Sequence, residues 1–444
     1  MSKVFLTALG CRLNEAELQR WAQEYQSIGY AITQQPEEAS VIVVNTCAVT
    51  GEAARKSRQV IRKHHRKSPK AKMVVTGCYA SLEEQEANEI LGVDLVVPNT
   101  EKDQLVAMTQ SVLDIPTMPA MATEPGAPAL FARNKERAFI KVQDGCRYRC
   151  TFCIVTVARG DERSRTHESI IDEVNQHVAD GIQEIVIAGV HVGGYGSDID
   201  SNLFALVQDI LDKTEIPRIR FASVEPWDLP DNFFTLFENK RVMPHMHLPL
   251  QSGTDSVLRR MARRCKTAEF ERLVNQAREH IPDFNVTTDI IVGFPGESDE
   301  EFVQSLDYIE KVGFGHIHIF AYSPREGTKA ARLPNHIEGP IKKERSQKLH
   351  DLAEKLKQAE MSKHLGKEVD VLWEGSPQQL ENGQVRYVGH TPNYLRVYSD
   401  ISPNFNLSNK IVRSKLMLVS KDMIEAIPDL TDIEKEGAPI LLSQ

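Results

Sequence analysis

Several things are missing from this 444-residue chain, and each absence narrows what it can be. It has no run of about 18 apolar residues, so no membrane-spanning helix is expected. It has no excess of positive charge: the net is −9, so any grip on nucleic acid must come from local patches. It shows no internal repeat and no low-complexity tract. The opening "MSKVFLTALGC" is too short in apolar residues for a secretory leader and reads as a first strand. Cysteine is sparse and odd in number, seven in all, which favours reduced thiols or metal ligands in the cytoplasm over a disulfide framework. One cluster of cysteines also lacks a member. "GCRYRCTFC" (145–153) carries three in a C-x3-C-x2-C spacing, where a structural zinc site would normally have four protein ligands.

What is present is ordinary for a globular protein. Apolar residues make up 41% and charged residues 26%, enough for sizeable cores and roughly three domains. Residues 1–111 alternate strand-like and helical stretches ("KVFLTALG", "SVIVVNTC", "KMVVTGC" and "VDLVVPN" are the strands), which predicts a parallel sheet covered on both faces. Residues 112–137 are rich in proline and alanine without periodicity and read as a linker. From 138 to 364 six more strand patterns alternate with helical ones, which predicts a partial β/α barrel with its chemistry at the C-terminal strand ends. Residues 365–430 change to short alternating strands, the pattern of a small antiparallel β-barrel, followed by a tail at 431–444.

Cys146, Cys150 and Cys153 fall just past the first strand of the expected barrel. Thiolates are the usual ligands of iron–sulfur clusters, and three of them leave one iron of a [4Fe–4S] cubane open to a small chelating molecule. If that molecule is S-adenosylmethionine, radical chemistry follows. Phe152 would wall off such a cluster. The competing reading is zinc, with His167 as a distant fourth ligand, in a non-enzymatic RNA-binding protein. Cys11, Cys47 and Cys78 each directly follow a predicted strand, so a parallel sheet brings all three to one rim, where a second cluster could sit. Cys265 falls within a predicted helix and reads as a spectator.

The blocks "GCRYRCTFCIVTVARG", "AGVHVGGYG", "PLQSGTDSVLRRMARR", "TTDIIVGFPGESDEEF" and "YSPREGT" occur in this order along the chain. Together they make it similar to the radical S-adenosylmethionine methylthiotransferases over nearly its whole length. The resemblance implies two [4Fe–4S] clusters, one held by Cys146, Cys150 and Cys153, the other, auxiliary, by Cys11, Cys47 and Cys78. It places Gly189, Gly293 and Glu297 around S-adenosylmethionine, with Gln251 and Ser252 at another strand end nearby. It implies a C-terminal, TRAM-like RNA-binding barrel, a tRNA substrate, and an electron donor such as a flavodoxin or ferredoxin. One S-adenosylmethionine would methylate a sulfur on the auxiliary cluster, and a second would generate the radical that opens the substrate C–H bond. "RLN" after Cys11 resembles the tRNA-modifying branches. "GVHVGGYG" resembles the branch that acts at C2 of N6-threonylcarbamoyladenosine beside the anticodon. The alternatives are isopentenyladenosine in tRNA and an aspartate of a ribosomal protein.

Two basic runs, Arg55–Lys67 with seven Lys or Arg and Arg259–Lys266 with five, read as helices able to meet phosphates. Trp373, Tyr387 and Tyr394 in the last barrel read as core before base-stacking. Histidines 191, 245, 247, 316 and 318 read as structural.

Overall fold

The computed structural model describes residues 2–113, 136–431 and 433, so most of the expected linker and tail lies outside the described residues. The first sheet has strands β1 (Lys3–Ala8), β2 (Ala31–Ile32), β3 (Val41–Thr46), β4 (Lys72–Gly77) and β5 (Leu95–Val97), all parallel, in the order β2-β1-β3-β4-β5. Every residue of β3 is buried, as expected for a central strand covered on both faces. Helices α1 (Arg12–Ser27) and α5 (Leu105–Leu113) cover one face. Helices α2 (Gly51–Lys67), α3 (Cys78–Leu82) and α4 (Glu84–Glu89) cover the other. Thr50 caps α2 by accepting the Ala53 N–H at 3.1 Å.

The middle of the chain is an open arc of six parallel strands. These are β6 (Arg137–Lys141), β9 (Glu184–Ala188), β10 (Arg218–Phe221), β11 (His245–His247), β12 (Asn285–Val292) and β13 (His316–Ala321). They form two three-stranded sheets joined by parallel bridges at Ile219–Val242 and Ser223–His247. A two-stranded hairpin, β7 (Gln143–Asp144) with β8 (Arg163–Ser164), follows β6 and brackets helix α6 (Val155–Arg159). Helices α7 (His167–Ala179), α8 (Leu203–Lys213), α9 (Asp255–Arg260), α10 (Thr267–His280) and α11 (Asp299–Val312) lie between the strands, and α12 (Gly339–Ser362) follows the last one. Strands and helices share one large apolar core. A Ser298–Glu301 capping box opens α11, and Gly313, left-handed, closes it.

The helix expected to run through Cys265 is two helices, α9 and α10. Ala262 takes φ 54° and breaks it, Asp255 accepts the Thr267 N–H at 2.8 Å, and Cys265 sits buried in the connection instead of within a helix.

The last sheet closes on itself: β14 (Glu368–Trp373), β18 (Ile411–Ser420), β19 (Met423–Pro428), β17 (Arg396–Ile401), β16 (Val385–His390) and β15 (Gln378–Gln379), with β14 also paired to β16. All its pairings are antiparallel except β17 with β19, which run parallel where the chain crosses to seal the barrel. Trp373 and Tyr387 are core residues of this barrel. Tyr394 stacks on His390 and lies under the Arg220 guanidinium, 4.6 Å from the ring centre. The barrel docks beneath the arc. Arg218, which opens β10, donates to the Asp370 carbonyl at 2.6 Å, and Asn285, which opens β12, donates to the Asn393 carbonyl at 2.8 Å.

Candidate active site

Cys11, Cys47 and Cys78 follow three adjacent strands in register: Ala8 pairs with Asn45, and Thr46 with Gly77. Neighbouring strands lie about 4.8 Å apart, so the three thiols share one rim about 10 Å wide. Cys47 and Cys78 are buried and Cys11 is exposed. Gly10 turns the chain into Cys11 at φ 98°, and a Cβ there would stand 2.6 Å from the Cys47 sulfur, so only glycine lets these two cysteines approach. The Asn99 amide points at the Cys78 sulfur from 3.9 Å, and the Cys11 thiol points at Asn14 Oδ1 from 3.7 Å.

Cys146, Cys150 and Cys153 lie on the loop between β7 and α6. Gly145 enters it at φ 73°, where a Cβ would strike the Asp161 carbonyl oxygen at 1.9 Å. The loop is tied at both ends: the Cys146 N–H donates to the Gly160 carbonyl at 3.1 Å, and the Thr151 N–H to that of Met261 at 2.9 Å. Arg263 donates toward the Cys150 sulfur from 3.9 Å and lies over Trp227, 4.4 Å from the ring centre. Arg264 lies over Tyr148 at 4.7 Å, and Arg260 pairs with Glu301 at 2.6 Å. The 259–266 run is therefore not a free basic helix; it packs around the cysteine loop. Burial pushes Cys146 up to about 12 and Cys153 up to about 11, and likewise Cys47 to about 11, so these thiols hold their protons until a metal displaces them.

The other residues expected to bind ligand lie in the same arc, at or just past its strand ends. Phe152 packs with Met261, Phe294 and Tyr322. Gly189 lies against Gln143, whose side chain accepts the Val190 and His191 N–H groups at 3.0 and 2.9 Å. Gln251 is buried with φ 81°, a strained conformation for a non-glycine, and its N–H donates to the Asp289 carbonyl at 2.8 Å. Ser252 is buried beside Thr254. Glu297 accepts the Gly293 N–H at 2.8 Å and pairs with Arg345 at 2.6 Å, so its Oε2 secures the turn that presents Gly293.

Two features escaped the sequence. The first is Arg159, at the end of α6 and 2% exposed. It donates to Glu17 at 3.1 Å, Asp144 at 3.0 Å and Asn14 at 2.9 Å, while Lys102 and Lys141 meet the same carboxylates. The Asn99 amide joins in by donating to the Ala158 carbonyl at 2.8 Å. One short helix thus connects the two cysteine trios. The second is the partner set of His191, which is structural as expected: it is wholly buried between Glu162 and Asp228 (2.7 Å) with the Cys146 thiol alongside. Burial lowers its pKa, but the Asp228 hydrogen bond and the Glu225 and Glu162 carboxylates outweigh this and raise it. His167, the fourth ligand of the zinc alternative, is instead engaged by Asp209 at 2.7 Å and Ser201 at 2.8 Å.

An open arc of six parallel strands, a three-cysteine loop at its C-terminal end and a three-cysteine rim on a flanking parallel sheet describe a radical S-adenosylmethionine enzyme with an added α/β domain. Residues 140–309 match the model of the Radical SAM superfamily, and residues 3–98 that of the uncharacterized protein family UPF0004. The chain is 34% identical to the threonylcarbamoyladenosine tRNA methylthiotransferase MtaB of Bacillus subtilis, covering 94% of each. It is 37% identical to the Thermotoga maritima protein of the same name, covering 84% of this chain and 87% of that one. It is 36% identical to the tRNA-2-methylthio-N(6)-dimethylallyladenosine synthase of Staphylococcus epidermidis, covering 84% and 75%. Its fold resembles that of the radical S-adenosylmethionine methyltransferase TsrM of Kitasatospora setae, with a TM-score of 0.57 at 16% identity over 74% of this chain and 77% of that one. The chain belongs to the radical S-adenosylmethionine methylthiotransferase family, and membership brings a [4Fe–4S] cluster and S-adenosylmethionine with it.

Proposed function

We propose that this enzyme adds a methylthio group to C2 of N6-threonylcarbamoyladenosine beside the anticodon of tRNA. The observation that carries this is the pairing of two all-thiol sites across Arg159, in a chain that matches relatives so named over nearly its full length. An all-sulfur donor set suits iron–sulfur clusters. Cys146, Cys150 and Cys153 would hold the cluster that binds S-adenosylmethionine, and Cys11, Cys47 and Cys78 a second, auxiliary one. When bound, the first cluster supplies the electron that opens S-adenosylmethionine to radical chemistry, which the unactivated C–H bond requires.

The protein's own residues prepare the place. Phe152, Met261 and Phe294 exclude water beside the loop. The Gly189, Gln251–Ser252 and Gly293 strand ends bring backbone up to the same face, and Glu297 and Arg345 hold the last of these in shape. Arg263 directs an N–H at the Cys150 sulfur, as partners around a cluster do. The exposed cations of α2, Arg55, Arg62, Lys63 and Arg66, would meet tRNA phosphates. A flavodoxin or ferredoxin in the cytoplasm would deliver the electron.

Mass spectrometry of tRNA nucleosides from a deletion strain tests the reading. Loss of the methylthio form of N6-threonylcarbamoyladenosine is expected. Loss of the dimethylallyl form instead would move the enzyme to the Staphylococcus relative's substrate, and an unchanged profile would remove tRNA altogether.

A further inference from the structure

The arc is open between its edge strands, β6 and β13; on the β6 side Phe139 and Val186 pack on Ala16 of α1, whereas the inner face toward β13 is polar. Alternation along the strands turns Met246, Val286, Ile290 and Ile317 toward the helices. It turns His247, Thr287, Asp289, His316 and His318 to the inner face. A closed barrel fills this space with branched apolar side chains. Here the donor atoms of His247, Asp289 and His318 lie within 4.8 Å of one another. His316 stands edge-on to His318 with ring centres 4.7 Å apart, and both are exposed.

The other side of the opening is α1 of the first sheet. Its Gln19 accepts the Phe139 N–H of edge strand β6 at 3.3 Å, fixing α1 along that edge. Arg12, the residue after Cys11, then lies over the Phe139 ring, 5.3 Å from its centre. Partial desolvation and the neighbouring His247 lower the His318 pKa, Asp289 opposes them, and Arg12 adds a smaller lowering from across the gap. Among the described residues, Arg12 is otherwise tied to Glu15, 2.9 Å away on the same helix, with both side chains about half exposed. Such a pair is weak and easily exchanged for another carboxylate. Asp289 is already taken up by His247 at 3.2 Å, which leaves it an acceptor for a hydroxyl or N–H.

We propose that Arg12, His318 and the His247–Asp289 pair form the subsite for the N6 substituent of the substrate adenosine, with Arg12 and His318 taking its carboxylate and Asp289 its hydroxyl. This rests on the threonylcarbamoyl reading and sharpens it. A threonylcarbamoyl group offers a carboxylate, a hydroxyl and urea N–H groups to match this set. A dimethylallyl group offers none and would displace water from Arg12, His318 and Asp289 without replacing its hydrogen bonds, which disfavours an apolar analogue. The position also fits, because Arg12 adjoins a cysteine of the auxiliary trio and Asp289 lies on the strand that leads to Gly293.

The test uses the reconstituted full-length enzyme on anticodon stem-loop RNAs. These carry N6-threonylcarbamoyladenosine, its threonyl methyl ester, or N6-dimethylallyladenosine. Arg12→Gln should lose roughly 10- to 100-fold in kcat/KM on the acid, mostly through KM. It should match wild type on the ester, and Arg12→Lys should recover part of the loss. Iron content of each variant confirms that the Cys11 site still loads. Equal kcat/KM of Arg12→Gln and wild type on the acid overturns the assignment. So does an equal loss on acid and ester, which would mark Arg12 as structural. A wild type inert on the acid but active on the dimethylallyl RNA overturns the functional reading itself, and this subsite with it.

Discussion

Arg159 and Glu17 are 142 positions apart in sequence and 3.1 Å apart in the fold, both almost fully buried. Their contact joins the cysteine loop of the arc to the first helix of the flanking sheet. Around it, Arg159, Lys102 and Lys141 face two carboxylates, Glu17 and Asp144. The group is therefore one positive charge in surplus, on the side of Cys11 and Cys78, where ligated thiolates would add negative charge.

This imbalance sets the order of two substitutions. Glu17→Gln leaves three buried cations against one carboxylate and should cost about 3–5 kcal/mol of folding stability. Arg159→Met leaves charges balanced and should cost less, although it removes three hydrogen bonds. Urea unfolding of the apo-proteins decides the matter; the reverse order would mean that hydrogen bonding outweighs charge here.

The raised thiols give the apo-protein a pH dependence. Cys47 is held at about 11 in the fold against 9.0 when unperturbed, because burial disfavours its thiolate. A folded pKa above the unfolded one stabilises below the lower value and loses that contribution as pH rises through the higher. Apo-protein stability should therefore fall between about pH 9 and 11, and less so in Cys47→Ala. An equal fall in both proteins would assign the effect to other groups.

Iron counting separates the two trios. Anaerobically reconstituted protein should carry about eight irons, and the Cys146/Cys150/Cys153→Ala variant about four. Gly10→Ala, with a side chain forced on the Cys47 sulfur, should also fall to about four while keeping the loop cluster. If Gly10→Ala keeps its full iron content, the rim is more yielding than its geometry indicates.

Helix α2 carries the clearest phosphate-facing surface. Lys56 and Lys67 are paired with Glu52 and Glu37, whereas Arg55, Arg62, Lys63 and Arg66 point outward from the same helix. Replacing Arg62, Lys63 and Arg66 with Gln should weaken tRNA binding and lower the salt slope of log Kd by about one per cation that meets a phosphate. An unchanged slope would take α2 off the RNA path.

The cysteine rim and the arc were legible in the sequence because both are consequences of strand ends: an apolar run followed by a ligand needs no knowledge of packing. The doublet Gly-Cys at 10–11, 77–78 and 145–146 was an additional signal, since each glycine has positive φ and aims the next residue. The break before α10 was not legible. Residues 261–266 are good helix formers, and tertiary contacts of Arg260 and Arg263 override their propensity. Nor could spacing reveal Arg159, whose partners come from α1 and β7, or the carboxylates around His191, which come from two separate loops.

The C-terminal barrel grips the first residues of the arc's strands, while both cysteine trios lie beyond strand ends on the opposite side. Strand β12 alone, with eight residues, sets those levels roughly 25 Å apart. A substrate held at both levels is measured against a rigid span, and attachment at two points converts modest contacts into avidity only if the substrate bridges them. Length and shape of the RNA would then select the target before any base is read, and a free nucleoside, able to reach one level alone, would be a poor substrate even with the right chemistry at its N6.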